Sequence, residues 1–273
     1  MLKTILLITI SILSFTSCKK DSDSKAKLNE SRISLTTHSL TAFTAISNTK
    51  YLIVFETGLG DDHTVWTQKD IAGQISEKSD VLLYDRAGYG KSEKGSTPRN
   101  INKLTTELEV VINASGNGRK VILVAHSLGG MIVRDYAVKN PDKVAAILFV
   151  DPSHEAYNKP TQEIEDMIYD SFKHANGVDF GGTMEARELI EDSEYMAKIS
   201  ALPNIPVVVI SSMKTDETHS EADRLLWYNA HELLNTGVSD FNHINTTVSG
   251  HYIMTEEPDL ILNNLLAILN KLP

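Results

Sequence analysis

From Tyr51 onward the chain alternates between short apolar runs and stretches whose apolar residues recur at helical spacing. The runs Tyr51–Phe55, Val81–Tyr84, Val121–Val124, Val144–Val150 and Pro206–Ile210 are built from β-branched, aliphatic and aromatic residues without polar alternation. That is the pattern of strands buried on both faces. His243–Val248 reads as a further strand. Helical spacing covers Trp66–Ser76, Asn100–Ala114, the stretch from Met131 to Lys139, and Pro258–Lys271. Strands alternating with helices predict an α/β fold with a mostly parallel sheet covered on both faces. Segments near Ile33–Leu35 and Thr41–Ile46 are expected to add antiparallel edge strands.

The rhythm breaks between Ser153 and Leu202. Two charged, amphipathic helices are expected there, about Thr161–Lys173 and Met184–Ile199, on either side of Gly177-Val-Asp-Phe-Gly-Gly182. An insertion over 153–202 at the carboxyl edge of a sheet reads as a cap over a pocket, or as an excursion that only shields the edge.

The N-terminus follows other rules. Lys3 precedes the apolar run Ile5–Leu13, which is too short to span a bilayer as a permanent helix. Ser14-Phe-Thr-Ser-Cys18 comes next, then the polar stretch Lys19-Lys-Asp-Ser-Asp-Ser24. Cys18 is the only cysteine of the 273 residues. The arrangement resembles a bacterial lipobox, with Phe15 where Leu is usual. The resemblance implies acylation of the Cys18 thiol, export, and a lipid anchor on a bacterial membrane. Several acyl chains make such anchoring stable where one is marginal. An ordinary secretory signal with a coincidental cysteine is the alternative. The expected organisation is therefore a signal peptide over 1–18, a flexible tether over 19–31 and one folded domain over 32–273. With no cysteine pair, that domain folds without disulfides. The net charge of −10 argues against nucleic acid and against an anionic membrane face as partners.

The richest stretch is Val121-Ile-Leu-Val-Ala-His-Ser-Leu-Gly-Gly130. An apolar strand ends at Ser127, small residues flank it at Ala125 and Gly129, and a helical pattern follows. A serine on so sharp a strand-to-helix turn is exposed above the sheet, with a helix N-terminus aimed at whatever reacts there. Serine is also a favoured N-cap, so the pentapeptide alone leaves both readings open.

Taken with three further landmarks in order, this stretch resembles the α/β-hydrolase superfamily over nearly the whole chain after the leader. Glu56-Thr-Gly-Leu-Gly-Asp61 follows the first long strand, with Thr57-Gly58 where His-Gly is usual. Asp85-Arg-Ala-Gly-Tyr-Gly90 is similar to the D-x-x-G-x-G turn and reads as structural. Ser249-Gly-His-Tyr-Ile253 lies between the last strand and the closing helix. The resemblance implies an α/β-hydrolase fold with Ser127 as nucleophile, His251 as proton shuttle, and backbone N–H groups of Leu59 and Leu128 as the oxyanion hole. Two positions compete for the acid. Asp151 ends a strand in Phe149-Val-Asp-Pro-Ser-His154, and a strand end holds a carboxylate rigidly. Asp216 follows the next strand in a polar loop. Asp151 is favoured, with Asp216 as the alternative.

A serine nucleophile excludes the routes of the superfamily that need an aspartate there, haloalkane dehalogenation and epoxide hydrolysis. It points to acyl transfer, and hydrolysis of small-molecule carboxylic esters leads. Lactonase, thioesterase, amidase and C–C hydrolase chemistry share the mechanism. A lipid-anchored ligand-binding protein on a non-catalytic scaffold is the alternative of another class. No cofactor is expected. No P-loop or complete dinucleotide fingerprint occurs, His231-Glu-Leu-Leu-Asn235 lacks the second histidine of a zinc-protease helix, and no metal site is expected from spacing.

Overall fold

A computed structural model describes residues 27–273. The expectations for the leader, for Cys18 and for most of the tether lie outside these residues; Asn29–Ser31, expected at the end of the tether, instead pair with Thr44, Phe43 and Ala42 as the start of an edge strand. Eight strands form one sheet: β1 (Asn29–Ser34), β2 (Ser39–Ala45), β3 (Leu52–Glu56), β4 (Asp80–Asp85), β5 (Val121–His126), β6 (Val144–Val150), β7 (Val207–Ser212) and β8 (Phe241–Thr246). Their spatial order is β1-β2-β4-β3-β5-β6-β7-β8. The first two strands are antiparallel additions, and β3 to β8 run parallel.

Ten helices accompany the sheet among the described residues: α1 (Thr64–Thr67), α2 (Ile71–Ser76), α3 (Ile101–Gly116), α4 (Leu128–Lys139), α5 (Gln162–Asn176), α6 (Gly181–Glu185), α7 (Leu189–Met196), α8 (Glu221–Glu232), α9 (Ile253–Glu256) and α10 (Pro258–Lys271). Every residue of β3, β4, β5 and β6 is buried. Alternate strand residues feed two cores. Leu52, Val54 and Leu123 pack with Leu104, Leu108 and Ile132 of α3 and α4. Ile53, Phe55 and Ile122 pack with Ile71, Ile261 and Leu265 of α2 and α10. That double burial is why these strands read as unbroken apolar runs.

Three elements differ from the sequence reading. The single helix expected over Trp66–Ser76 is two pieces, because Asp70 takes a left-handed conformation at φ 59° and ends one turn before the next begins. The insertion between β6 and β7 holds three helices, the short α6 standing apart from α7. Helix α8 was not anticipated at all.

The chain proceeds from β3 to β4 in one direction and then crosses β3 to place β5 on its other side. The crevice outside the carboxyl ends of strands at such a reversal is where open α/β sheets place ligands. Here it is bounded by the loops after β3 and β5, which begin level with each other, Glu56 pairing with Ala125.

Candidate active site

Ser127 occupies the turn between β5 and α4 with φ 52° and ψ −123°, a conformation strained for any residue with a Cβ. It stands at the N-cap position of α4, yet its side chain makes no capping hydrogen bond. The hydroxyl is left free of structural duty, with only Ser153 Oγ near it, at 3.5 Å. The turn is possible because its neighbours are small. A Cβ on Gly129 would lie 2.7 Å from the Thr57 carbonyl oxygen, and one on Gly130 would lie 2.5 Å from Pro152 Cβ. The Ser127 carbonyl accepts from Gly130 N at 2.8 Å and from Ser153 N at 2.9 Å, which anchors the turn to both flanking segments.

Directly after the adjacent strand β6 comes Asp151, also at positive φ (46°). One carboxylate oxygen, Oδ1, accepts from Ser212 N at 2.8 Å and from Trp227 Nε1 at 2.7 Å. The other, Oδ2, lies 2.7 Å from His251 Nδ1. Burial works against charge on Asp151, but the hydrogen bond and charge of His251, with His231 and Trp227, overcome it and hold its pKa below the usual value. A carboxylate only accepts, so His251 carries its proton on Nδ1 and presents an unprotonated Nε2 when neutral. Nε2 has no hydrogen-bonding partner among the described residues. The His251 loop is fixed beside the elbow, since its backbone carbonyl accepts from His126 Nε2 at 3.0 Å, one residue before Ser127.

A largely buried chain of side chains backs the Asp151 turn. His231 Nε2 donates to the Pro152 carbonyl at 2.6 Å, and Ser211 Oγ bridges His231 Nδ1 at 2.5 Å and His243 Nε2 at 2.7 Å. His243 Nδ1 in turn meets Glu232. Burial pushes His231 down to about 3, so its ring is neutral and donates from Nε2 alone. The turn after Asp151 is thus held by β7, α8 and β8 together.

The loop after β3 is set by Arg86. Its Nη1 donates to Glu56 Oε1 at 2.8 Å, to the Thr57 carbonyl at 2.9 Å and to Thr57 Oγ1 at 2.8 Å. Its Nη2 donates to the Gly58 carbonyl at 2.8 Å. In a trans peptide the carbonyl and the next N–H point to opposite sides. Drawing the Gly58 carbonyl to Arg86 therefore turns the Leu59 N–H the other way, and neither it nor the Leu128 N–H is bonded elsewhere among the described residues. Arg86 also forks onto Glu185 of α6, both bonds at 2.9 Å, and Tyr89 OH donates to the same carboxylate at 2.6 Å. Gly60 N donates to Tyr89 OH at 3.1 Å. This buried network joins the loop after β3 to the inserted helices.

Those helices wall a cavity of about 470 Å³ that reaches Ser127, Leu59 and Leu128. Ile164 and Ile168 of α5 and Leu189 and Asp192 of α7 form its far side. Asp216 lies elsewhere. It is exposed, and its carboxylate accepts from Thr218 N and His219 N, both at 2.8 Å, within its own turn. Asp62, His63 and Asp85 bring ligand-type atoms within 4.8 Å of one another. Their oxygens already serve protein donors: Asp85 takes His63 N, His63 Nδ1 and Lys91 N, and Asp62 takes Thr64 N.

The structure thus brings Ser127, Leu59 and Leu128 to one cavity and bonds His251 to Asp151. Sequence reasoning missed Trp227, Arg86 as the anchor of the loop after β3, and Asp192. Trp227 had a signal, because Ser220-x-x-Asp223 is a capping box opening α8. Nothing in the local pattern marks the other two.

A family model for the alpha/beta hydrolase fold matches residues 51–262. The uncharacterised protein YqjL of Bacillus subtilis is 27% identical over 210 residues, 77% of this chain and 79% of that protein. A human (Lyso)-N-acylphosphatidylethanolamine lipase is 28% identical over 109 residues, 38% of this chain and 31% of the lipase. Among solved structures, epoxide hydrolase A from Mycobacterium thermoresistibile superimposes with a TM-score of 0.71 at 16% identity, over 90% of this chain and 99% of the other, a likeness of fold.

Proposed function

Since the chain belongs to the alpha/beta hydrolase fold family, we propose that it is a serine hydrolase cleaving carboxylic esters of small molecules through an acyl-enzyme. The observation that carries this reading is the 2.7 Å hydrogen bond from His251 Nδ1 to Asp151 Oδ2, held directly after the strand next to the strained, uncapped Ser127. The proton on Nδ1 leaves Nε2 as the base that takes the Ser127 proton as Oγ attacks the ester carbonyl. The oxyanion that forms is met by the N–H groups of Leu59 and Leu128, whose orientation is fixed before the substrate arrives. His251 then returns the proton to the leaving alcohol. Water, deprotonated in the same way, attacks the acyl-enzyme and releases the acid. The proposal requires Ser127 Oγ and His251 Nε2, which share no hydrogen bond among the described residues, to come together when substrate binds, as such bonds often do.

The test uses p-nitrophenyl esters of graded acyl length, with the domain from Lys25 onward and its Ser127→Ala variant. Turnover that disappears with Ser127, and phosphonate labelling at that residue, are expected. No turnover and no labelling of folded protein would leave a ligand-binding role instead. Acylation of Cys18 and attachment to a membrane complete the proposal. They rest on the leader sequence alone.

A further inference from the structure

Among the described residues Asp192 is the only carboxylate on the cavity wall, and none of the steps above uses it. It is 2% exposed. Oδ1 accepts from Ile101 N at 2.7 Å, at the first turn of α3. That bond fixes the side chain between the two helices, and Oδ2 has no partner among the described residues. No arginine or lysine pairs with it among the described residues. Arg99 grips Glu107 through two bonds of 2.6 and 2.9 Å, and Arg86 is shared between Glu56 and Glu185. Lys159, the one basic residue of the lining, is exposed and makes no ion pair among the described residues. Burial raises the Asp192 pKa to about 8, with the charges of Glu188, Glu185 and Glu191 adding to it against the pull of the Ile101 N–H.

A buried carboxyl with one oxygen unmatched, among other acids and without a cation, is unfavourable for the empty protein. It becomes favourable when a ligand supplies the missing positive donor, because the attraction then acts in a water-poor cavity. The rest of the far wall, Ile164, Ile168 and Leu189, suits an alkyl chain.

We propose that Asp192 is a specificity residue of the site, and that the preferred substrates are esters whose apolar chain carries a primary amine seated on Asp192 Oδ2. This rests on the serine-hydrolase reading for turnover, but the binding step does not. A basic amine seated on Oδ2 takes up the proton that burial otherwise keeps on the carboxyl, so that an ammonium faces a carboxylate while the Ile101 bond stays intact. A hydroxyl of the same reach is not basic enough to do so and gains only a hydrogen bond to the neutral carboxyl.

The experiment compares p-nitrophenyl ω-aminoalkanoates with alkanoates and ω-hydroxyalkanoates of equal chain length, in the wild-type domain and in Asp192→Asn. The wild type is expected to favour the amine by at least about tenfold in kcat/KM, mainly through KM. In Asp192→Asn that ratio is expected to fall to near unity. Binding of the corresponding alkylammonium and alkanol to folded Ser127→Ala protein, followed by calorimetry, reads the same preference without turnover. An amine preference in binding with no turnover of any ester would support Asp192 while sinking the hydrolase reading. Equal binding of amine and alcohol, or an amine preference that survives Asp192→Asn, would overturn the proposal.

Discussion

Replacing Asp151 by Asn tests the proposed mechanism at its narrowest point. The substitution is nearly isosteric, and its outcome is decided by the three donors around the carboxylate. Ser212 N–H and Trp227 Nε1–H both point at Oδ1, and neither can reverse its polarity. The amide oxygen must therefore stay at that position, because an NH2 group there would face two donors. The amide nitrogen is then forced into the Oδ2 position, 2.7 Å from His251 Nδ1. It donates to that nitrogen, so the imidazole must move its proton to Nε2. A histidine in that tautomer has no lone pair for the Ser127 proton. The comparable tautomer change in serine proteases lowers kcat by about 10⁴-fold, roughly 5 kcal/mol of transition-state stabilisation. The assay is kcat for p-nitrophenyl ester hydrolysis, with thermal unfolding to show that the variant folds. Phosphonate labelling of Ser127 should slow in step. If Asp151→Asn keeps activity within tenfold of wild type while Asp216→Asn abolishes it, the reasoning fails and the acid is Asp216.

The Asp192 carboxyl gives the fold a pH dependence of its own. It holds its proton to about pH 8 when folded but only to about pH 4 when unfolded. Between those values the folded chain binds more protons, so this residue takes stability away as the pH rises, and the loss is complete above about pH 8. Asp192→Asn keeps the acceptor for Ile101 N, so in urea titrations it should exceed wild-type stability by roughly a few kcal/mol at pH 8 and match it near pH 4. An equal difference at both pH values would be contrary evidence. Gly129→Ala should cost about 1–3 kcal/mol and depress ester turnover, because its Cβ would press on the Thr57 carbonyl at 2.7 Å; unchanged denaturation and kcat would contradict the packing described. In the full chain expressed in a bacterium, Cys18→Ser should shift the protein out of the membrane fraction and prevent labelling by a fatty-acid probe. Persistence of either would discount the lipid anchor.

What the sequence disclosed follows from how each feature is encoded. Strands β3 to β6 were legible because both faces are buried, which leaves a run such as Val144–Val150 with no polar residue. The strained turn at Ser127 was legible because it demands small residues at fixed positions. Helix α8 was not, because Leu225 and Leu226 are exposed and blur the apolar stripe that a helix reading depends on. The break at Asp70 was hidden for a related reason: a left-handed residue interrupts a helix without disturbing the spacing of its apolar side chains. The competition between Asp151 and Asp216 could be posed from chain order, but their surroundings come from β7, α8 and the loop after β8, which are remote in sequence. Arg86 and Asp192 are likewise defined by partners on other elements, and no local pattern announces an arginine that turns a peptide plane or an aspartate with a spare oxygen.

If Asp151 is the acid, as proposed, residues 215–219 carry no chemical obligation, and the Asp216 carboxylate is used within its own turn, accepting from Thr218 N and His219 N. The turn is moored on both sides, by Met213 N to the Thr246 carbonyl at 2.7 Å and by Arg224 Nε to the Lys214 carbonyl at 2.7 Å. Between those moorings lies a surface segment that can be lengthened, exchanged or used as a point of attachment. It is a place where new partners or new substrate preferences could be grafted while Ser127, His251 and Asp151 stay as they are.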